Sequence, residues 1–435
     1  MNRSKEEETR ENPAEVLSAP LKINGVTLKN RVVLGPMAVL RPTEDGRPSD
    51  QSIAFLKRRA QGGVSLVFVG GSVATQKAWD ESPFRPNVRF DKDEFIPDLA
   101  RLVDEVHSAG SLIFAQIFPT FGRMGIPHEG NWPTAASPVP VTIGQYGLPD
   151  NVYIPGGMTT PPPHEATIEY IKEVEAAVVN AARISKAAGF DGVEVAAHMC
   201  YFYSSFLSPH ANHRTDKYGG SAENRARALR DVISAVRKEV GAQYPVGLRL
   251  SVNDHIPGGQ DEKGFAEVAA HIAKGGVDFF ALTDANYESM GQNVTSMSGN
   301  MLEHGEPQAF RKAVGDIPLF LSSTSDPVQA ATAIAEGVAD VTMLARQLLA
   351  DPDYPNKVLE GRLSEIVWCD HANSCLRRLM TNVPVACHKN PEMGHEHPSA
   401  PRSTAKQNLM VWASGNRPLM AIADKVAKRR PTKHH

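Results

Sequence analysis

The chain predicts an α/β fold, a (β/α)8 TIM barrel, on three observations. Near-continuous apolar runs at 32–37, 64–69, 111–117, 190–196, 246–250, 277–282, 318–321 and 338–344 supply eight strands, each of the kind covered on both faces. Five of the runs follow a helical pattern closed by glycine, at Gly63, Gly110, Gly189, Gly276 and Gly337, as helices ending in a left-handed cap do. No run is followed by G-x-G-x-x-G, so an open dinucleotide-binding sheet is disfavoured and a nicotinamide would have no dedicated domain in this chain.

In chain order, residues 1–19 are charged and polar and read as a disordered tail. Residues 20–30 form a small hairpin around Asn24-Gly25 that would plug the bottom of the barrel. Residues 118–165, rich in Pro and Gly, are a long loop after the third strand, on the side where barrels keep their functional loops. A helix spans Ile168 to Ala188, and the stretch Gly189–Arg227 joins strand, reactive loop and capped helix. There Ser221 offers an N-cap hydroxyl with Glu223 in the first turn, and Ala226, Leu229, Val232, Ile233, Val236 and Val240 keep helical spacing. The barrel therefore occupies 20–365, and 366–435 is a C-terminal extension ending in a flexible, Lys/Arg/Pro-rich tail.

Composition narrows the function. At 435 residues, 41% hydrophobic and net charge −3, the chain is an ordinary globular protein without a basic block that could track phosphates. Nucleic acid is excluded as a partner and a small-molecule substrate expected; a homo-oligomer is compatible with the residues. No run of about 18 apolar residues or secretory leader is present, which predicts a cytoplasmic protein with no membrane partner.

Some strand residues are chemically out of place. Arg249 interrupts the apolar strand GLRLS, where a guanidinium needs an anionic or polar neighbour. Glu194 on the fourth strand would satisfy it structurally; a ligand is the other reading. Gln116 near the end of the third strand offers donor and acceptor together, to the core or to a ligand edge. Ser322, Ser323 and Thr324 follow the seventh strand and Ala345-Arg346 the eighth, where barrels commonly hold a phosphate. Together these residues suggest a phosphorylated cofactor across the barrel mouth.

The run FLSPHANHRTDKYGGSAENRAR (206–227), with LKNRVVLGPM (28–37), GLRLS (247–251) and LARQLLADPDYPNK (344–357), resembles the Old Yellow Enzyme family of NADH:flavin oxidoreductases over roughly 20–365. The resemblance implies FMN as cofactor and NADH or NADPH as hydride donor. It places Gln116 and Arg249 at the isoalloxazine ring, Pro36, Met37, Ala38 and Gly70 beside it, and Arg346 with the 322–324 loop at the phosphate. It also implies Tyr201 as proton donor.

The chain departs from that pattern at the substrate. Where many relatives carry a His and a His or Asn to hold a carbonyl oxygen, it has Ala196 and Met199. His198 lies between them and is read as structural, pointing elsewhere by strand alternation. Ala38 replaces a Thr or Cys, and the third-strand motif is Gln116-Ile117-Phe118-Pro119-Thr120-Phe121-Gly122-Arg123. Tyr287-Glu288 stands where the 2,4-dienoyl-CoA reductase branch has an acid–base His before Glu, so Tyr287 is a second candidate donor. Phe118 and Tyr203 are taken as substrate-facing aromatics, with packing as the other reading of Tyr203.

Lack of the paired His aligns the chain with the dienoyl-CoA reductase and trimethylamine dehydrogenase branch, although without the C-terminal nucleotide-binding domains of those relatives. That branch holds a [4Fe–4S] cluster through four cysteines; here Cys369, Cys375 and Cys387 match three and Ala372 the remaining one. The expectation is a degenerate motif with no metal, its thiols acting as small apolar groups. The function expected is ene reduction: hydride passes from NAD(P)H through FMN to an activated C=C bond, and Tyr201 protonates the other carbon. The alternatives are oxidative demethylation of an N-methylated amine in an aromatic cage, and a non-catalytic flavin-binding module.

Overall fold

The computed structural model describes residues 12–427 except 40, 285, 293–300, 323 and 401. Eight parallel strands close into a barrel: β1 Val32–Leu34, β2 Leu66–Val69, β3 Leu112–Ile117, β4 Gly192–Ala197, β5 Val246–Ser251, β6 Phe279–Thr283, β7 Leu319–Ser322 and β8 Val341–Leu344. The helices that cover it are α1 Asp50–Gln61, α2 Ile96–Ser108, α3 Ile168–Ala187, α4 Ala222–Val240, α5 Glu262–Ala273, α6 Glu306–Val314, α7 Pro327–Ala335 and α8 Arg346–Ala350. Side-chain caps start most of them, among them Ser49 on α1, Thr167 on α3 and Ser221 on α4, whose hydroxyl accepts from the Asn224 N–H as expected.

Two glycines explain the barrel floor. A Cβ on Gly192 would lie 2.7 Å from the Phe114 ring and one on Gly247 2.0 Å from that of Phe279, so β4 and β5 each give up a side chain to seat a phenylalanine. Phe279 stacks on Phe320 with centroids 4.7 Å apart, and Phe68 meets Phe114, Phe279 and Phe320 edge-on. Each such buried ring is worth roughly 1.5–3 kcal/mol of transfer free energy. Ile23 and Leu28 of the 21–28 hairpin pack into the same cluster, so the hairpin closes the bottom as the sequence suggested.

The ends differ from expectation. Residues 1–11 lie outside the described residues, but Pro13–Ser18 is a helix, not tail: Asn12 caps it and Leu17 is fully buried. The extension includes α9 Ser374–Met380, α10 Ala405–Ser414 and α11 Arg417–Ala427, and the last part of the expected tail, 428–435, lies outside the described residues. Thr404 and Gln407 form a complete capping box on α10, local support that a flexible tail lacks. No helix among the described residues is long and apolar enough to cross a membrane.

Candidate active site

A cavity of about 520 Å³ opens at the carboxyl ends of the strands. On its polar side, β3, β4 and β5 bring Gln116, Glu194 and Arg249 together, because Gln116 pairs in register with Glu194 and Ala196 with Arg249. Gln116 Nε2 donates to Glu194 Oε1 at 2.5 Å, while the buried Glu194 Oε2 has no hydrogen-bond partner. Burial pushes the Glu194 carboxyl up to about 7, against the pull of Arg249 and Gln116.

Arg249 makes no direct ion pair with Glu194. Its Nη1 donates to the Met343 thioether at 2.8 Å and its Nη2 to Ser322 Oγ at 3.2 Å, weak partners for a guanidinium only 9% exposed. A desolvated cation so poorly matched fits an electron-rich occupant of the cavity. The opposite wall fits a flat one: a Cβ on Gly70 would sit 2.5 Å from the Met37 N, so the backbone just after β2 lies against that just after its parallel neighbour β1, where Pro36, Met37 and Ala38 line the cavity.

The apolar side is aromatic. Phe118, Phe121, Tyr201 and Tyr287 face the cavity, with Tyr201 edge-on to Phe118 at 5.0 Å and to Phe121 at 5.5 Å. The Tyr201 and Tyr287 hydroxyls are 2.7 Å apart. Burial raises both phenols above their ordinary range, so each keeps its proton at neutral pH. Met199 and Cys200, with φ of 54° and 63°, make the left-handed turn that aims Tyr201 inward, at a cost of roughly 1–3 kcal/mol each. The second tyrosine loop is held by Glu288, which takes Arg123 at 3.0 Å and His210 at 3.2 Å. Burial alone would raise the Glu288 carboxyl, but His210 and Arg123 hold it below its ordinary value.

Other sequence-assigned residues fall less uniformly. Met199 lines the cavity, and Ala196 packs with the aromatic cluster behind it. His198 does not point away: it lines the cavity, burial and then Arg249 keep its ring neutral, and its Nδ1 has no protein partner. Alternation failed there because the strand ends at Ala197, one residue before His198. Tyr203 is corrected in the other direction, packing 1% exposed against Phe202 in the core and away from the cavity lining.

At the far end, Ala345 and Arg346 line the cavity, and Arg346 donates to Asn373 Oδ1 at 3.1 Å. Ser322 lines it too and serves Arg249, whereas Thr324 is buried with its carbonyl accepting from Thr342, outside the lining. Ser323 lies outside the described residues. Cys375 forms part of the wall with Leu376, Leu379 and Met380 of α9, so the extension completes the cavity, which the sequence did not reveal. Burial pushes the Cys375 thiol up to about 11, and Cys369 and Cys387 are near enough to push the same way.

Comparison with known proteins agrees with this fold. A "Metal reductase" of Desulforamulus reducens is 34% identical over 389 residues, covering 88% of this chain and 54% of that protein. A "Cinnamate reductase" of Clostridium sporogenes is 32% identical over 404 residues, covering 88% of this chain and 58% of that protein. A solved 2-naphthoyl-CoA reductase superposes with a TM-score of 0.75 at 30% identity, covering 88% of this chain and 58% of its own. The chain thus spans little more than half the length of these relatives. The NADH:flavin oxidoreductase / NADH oxidase family model, whose members work with FMN and a nicotinamide reductant, matches residues 16–365. With its closed barrel, buried Arg249 and flat backbone cradle, the chain belongs to this family of FMN oxidoreductases.

Proposed function

We propose that the protein is an ene-reductase acting on a flat, apolar alkene conjugated to a carbonyl group. The observation that carries the reading is the protonated Tyr201–Tyr287 pair, hydroxyls 2.7 Å apart, facing the same cavity as Arg249. FMN, when bound, supplies hydride taken from NAD(P)H. Arg249 compensates the negative charge of a reduced ring, and Gln116 offers its amide to the ring edge. Pro36, Met37, Ala38 and Gly70 carry the ring's flat side, and Arg346 faces the phosphate.

Tyr201 delivers a proton to the alkene carbon that does not receive hydride. Tyr287 donates a hydrogen bond to the Tyr201 oxygen, which stabilises charge left there during transfer. Phe118 and Phe121 hold the substrate plane and exclude water, and the neutral His198 offers a nitrogen near Arg249 where Ala196 and Met199 offer none. The names cinnamate reductase and 2-naphthoyl-CoA reductase among the relatives support a conjugated aromatic acid or thioester as substrate class.

The test separates the half-reactions. Tyr201→Phe is expected to slow alkene reduction about 10²–10⁴-fold, the usual contribution of a positioned general acid, while flavin reduction by nicotinamide keeps its rate. Tyr287→Phe is expected to slow only the same step, by less. Wild-type alkene reduction in the double Phe variant would remove the proton-donor assignment.

A further inference from the structure

Away from the FMN cavity, the carboxyl ends of β5 and β6 and the start of α6 bring together His255, Asp284, His304 and Glu306. One ligand atom from each lies within 4.8 Å of all the others. His255 Nε2 is 2.7 Å from Asp284 Oδ1 and 3.9 Å from Glu306 Oε1, and His304 Nδ1 is 3.6 Å from Glu306 Oε1. Tetrahedral coordination at bonds of about 2.0–2.2 Å sets its ligand atoms about 3.4 Å apart, in the middle of these separations.

Burial distinguishes this group from a surface cluster of acids. Glu306 is 1% exposed and its Oε2 has no hydrogen-bond partner, so a carboxylate oxygen is desolvated with nothing in the protein to compensate it. The backbone is bent to gather the donors: His255 has φ 51°, its N–H donates to Asn253 Oδ1 at 2.9 Å, and Gly305, φ 87°, turns the chain between His304 and Glu306. Two imidazoles with two carboxylates suit a borderline divalent ion such as Zn²⁺ rather than Ca²⁺ or Mg²⁺, which take oxygen donors.

We propose that His255, Asp284, His304 and Glu306 form a binding site for a divalent transition-metal ion of the zinc type. The ion would be structural, tying the loop after β5 and the start of α6 to the loop after β6, which carries Tyr287 three residues beyond Asp284. It neutralises the two carboxylates and needs both imidazoles unprotonated.

The test uses full-length flavin-loaded protein, stripped with a chelator and titrated with Zn²⁺ against a chromogenic competitor, with Co²⁺ as spectroscopic probe. The expected result is one tight equivalent per chain, a melting temperature that rises with it, and a cobalt spectrum without the thiolate charge-transfer band that binding at Cys369, Cys375 or Cys387 would give. His304→Ala, at a half-exposed position that tolerates truncation, is expected to weaken binding about tenfold or more with flavin content unchanged, and Glu306→Gln to do the same. Three outcomes overturn the site: no tight uptake by the wild type, as for a cluster that merely shares protons; unchanged affinity in His304→Ala; or a cobalt–thiolate band accounting for the tight equivalent.

Discussion

Arg249 shows how one residue can be both structurally awkward and functionally informative. Its guanidinium is buried against a thioether and a hydroxyl, with Glu194 close enough to act through space but not to pair. Replacing it with leucine is therefore expected to leave a folded barrel that has lost its grip on the flavin. The dissociation constant for FMN, followed by quenching of flavin fluorescence, should rise about tenfold or more, which corresponds to about 1.4 kcal/mol. Arg249→Lys should retain part of the affinity, since charge survives while the planar donors do not. Arg249 and Gln116 stood out as polar side chains within apolar strands, whereas Tyr201 and Tyr287 were singled out by the family resemblance. The roles of His198 and Arg123 were not legible, because His198 falls just past the end of its strand at Ala197 and Arg123 acts through an ion pair spanning residues 123 to 288. Tyr203 looked functional only because it neighbours Tyr201 in sequence.

Between elements, Glu81 does for the aromatic wall what Glu288 does for the tyrosines. It ends the helix Gln76–Glu81, is fully buried, and accepts the Phe121 N–H at 2.6 Å, with Lys77 at 3.4 Å. Burial pushes its carboxyl from 4.5 to about 7, more than Lys77 and the Phe121 N–H pull it down. A folded-state value above the unfolded one means that stability is full below about pH 4.5, falls as pH rises toward 7 and stays reduced above it. At about 1.4 kcal/mol per unit, the loss is on the order of 3 kcal/mol. Glu81→Gln keeps the acceptor and removes the charge, so urea melts at pH 5 and pH 8 should show a flatter pH dependence than the wild type. Identical slopes would place Glu81's carboxyl in contact with water. Sequence located the strands well at this scale because each glycine-capped helix announces the next strand. The Phe-for-Gly exchange across the barrel floor stayed hidden, since it pairs residues from different strands.

Over the whole molecule, the extension after 365 is fastened to the barrel rather than trailing from it. Arg59, fully buried on α1, pairs with Glu396 and stacks over Phe55, while Arg41 donates to the carbonyls of Val385 at 2.6 Å and Gly394 at 3.2 Å. Glu396→Ala would strand a buried guanidinium and is expected to cost about 3–5 kcal/mol in thermal or denaturant unfolding. Composition pointed toward a flexible tail because the end of the chain is rich in Lys, Arg and Pro, yet Val385 and Gly394 are held by a residue more than 300 positions earlier. The barrel order was readable from local repeats; the completed cavity, with its α9 wall, was not. The proposed reaction requires that this cavity hold FMN and pass hydride to an alkene. Anaerobic rapid mixing of the flavin-loaded protein tests that most directly: NADH or NADPH should bleach the flavin absorbance, and a cinnamate-type acid or aryl thioester should restore it with one equivalent of reduced alkene formed. A flavin that neither nicotinamide reduces, or that stays reduced before every conjugated alkene offered, would rule out an ene-reductase.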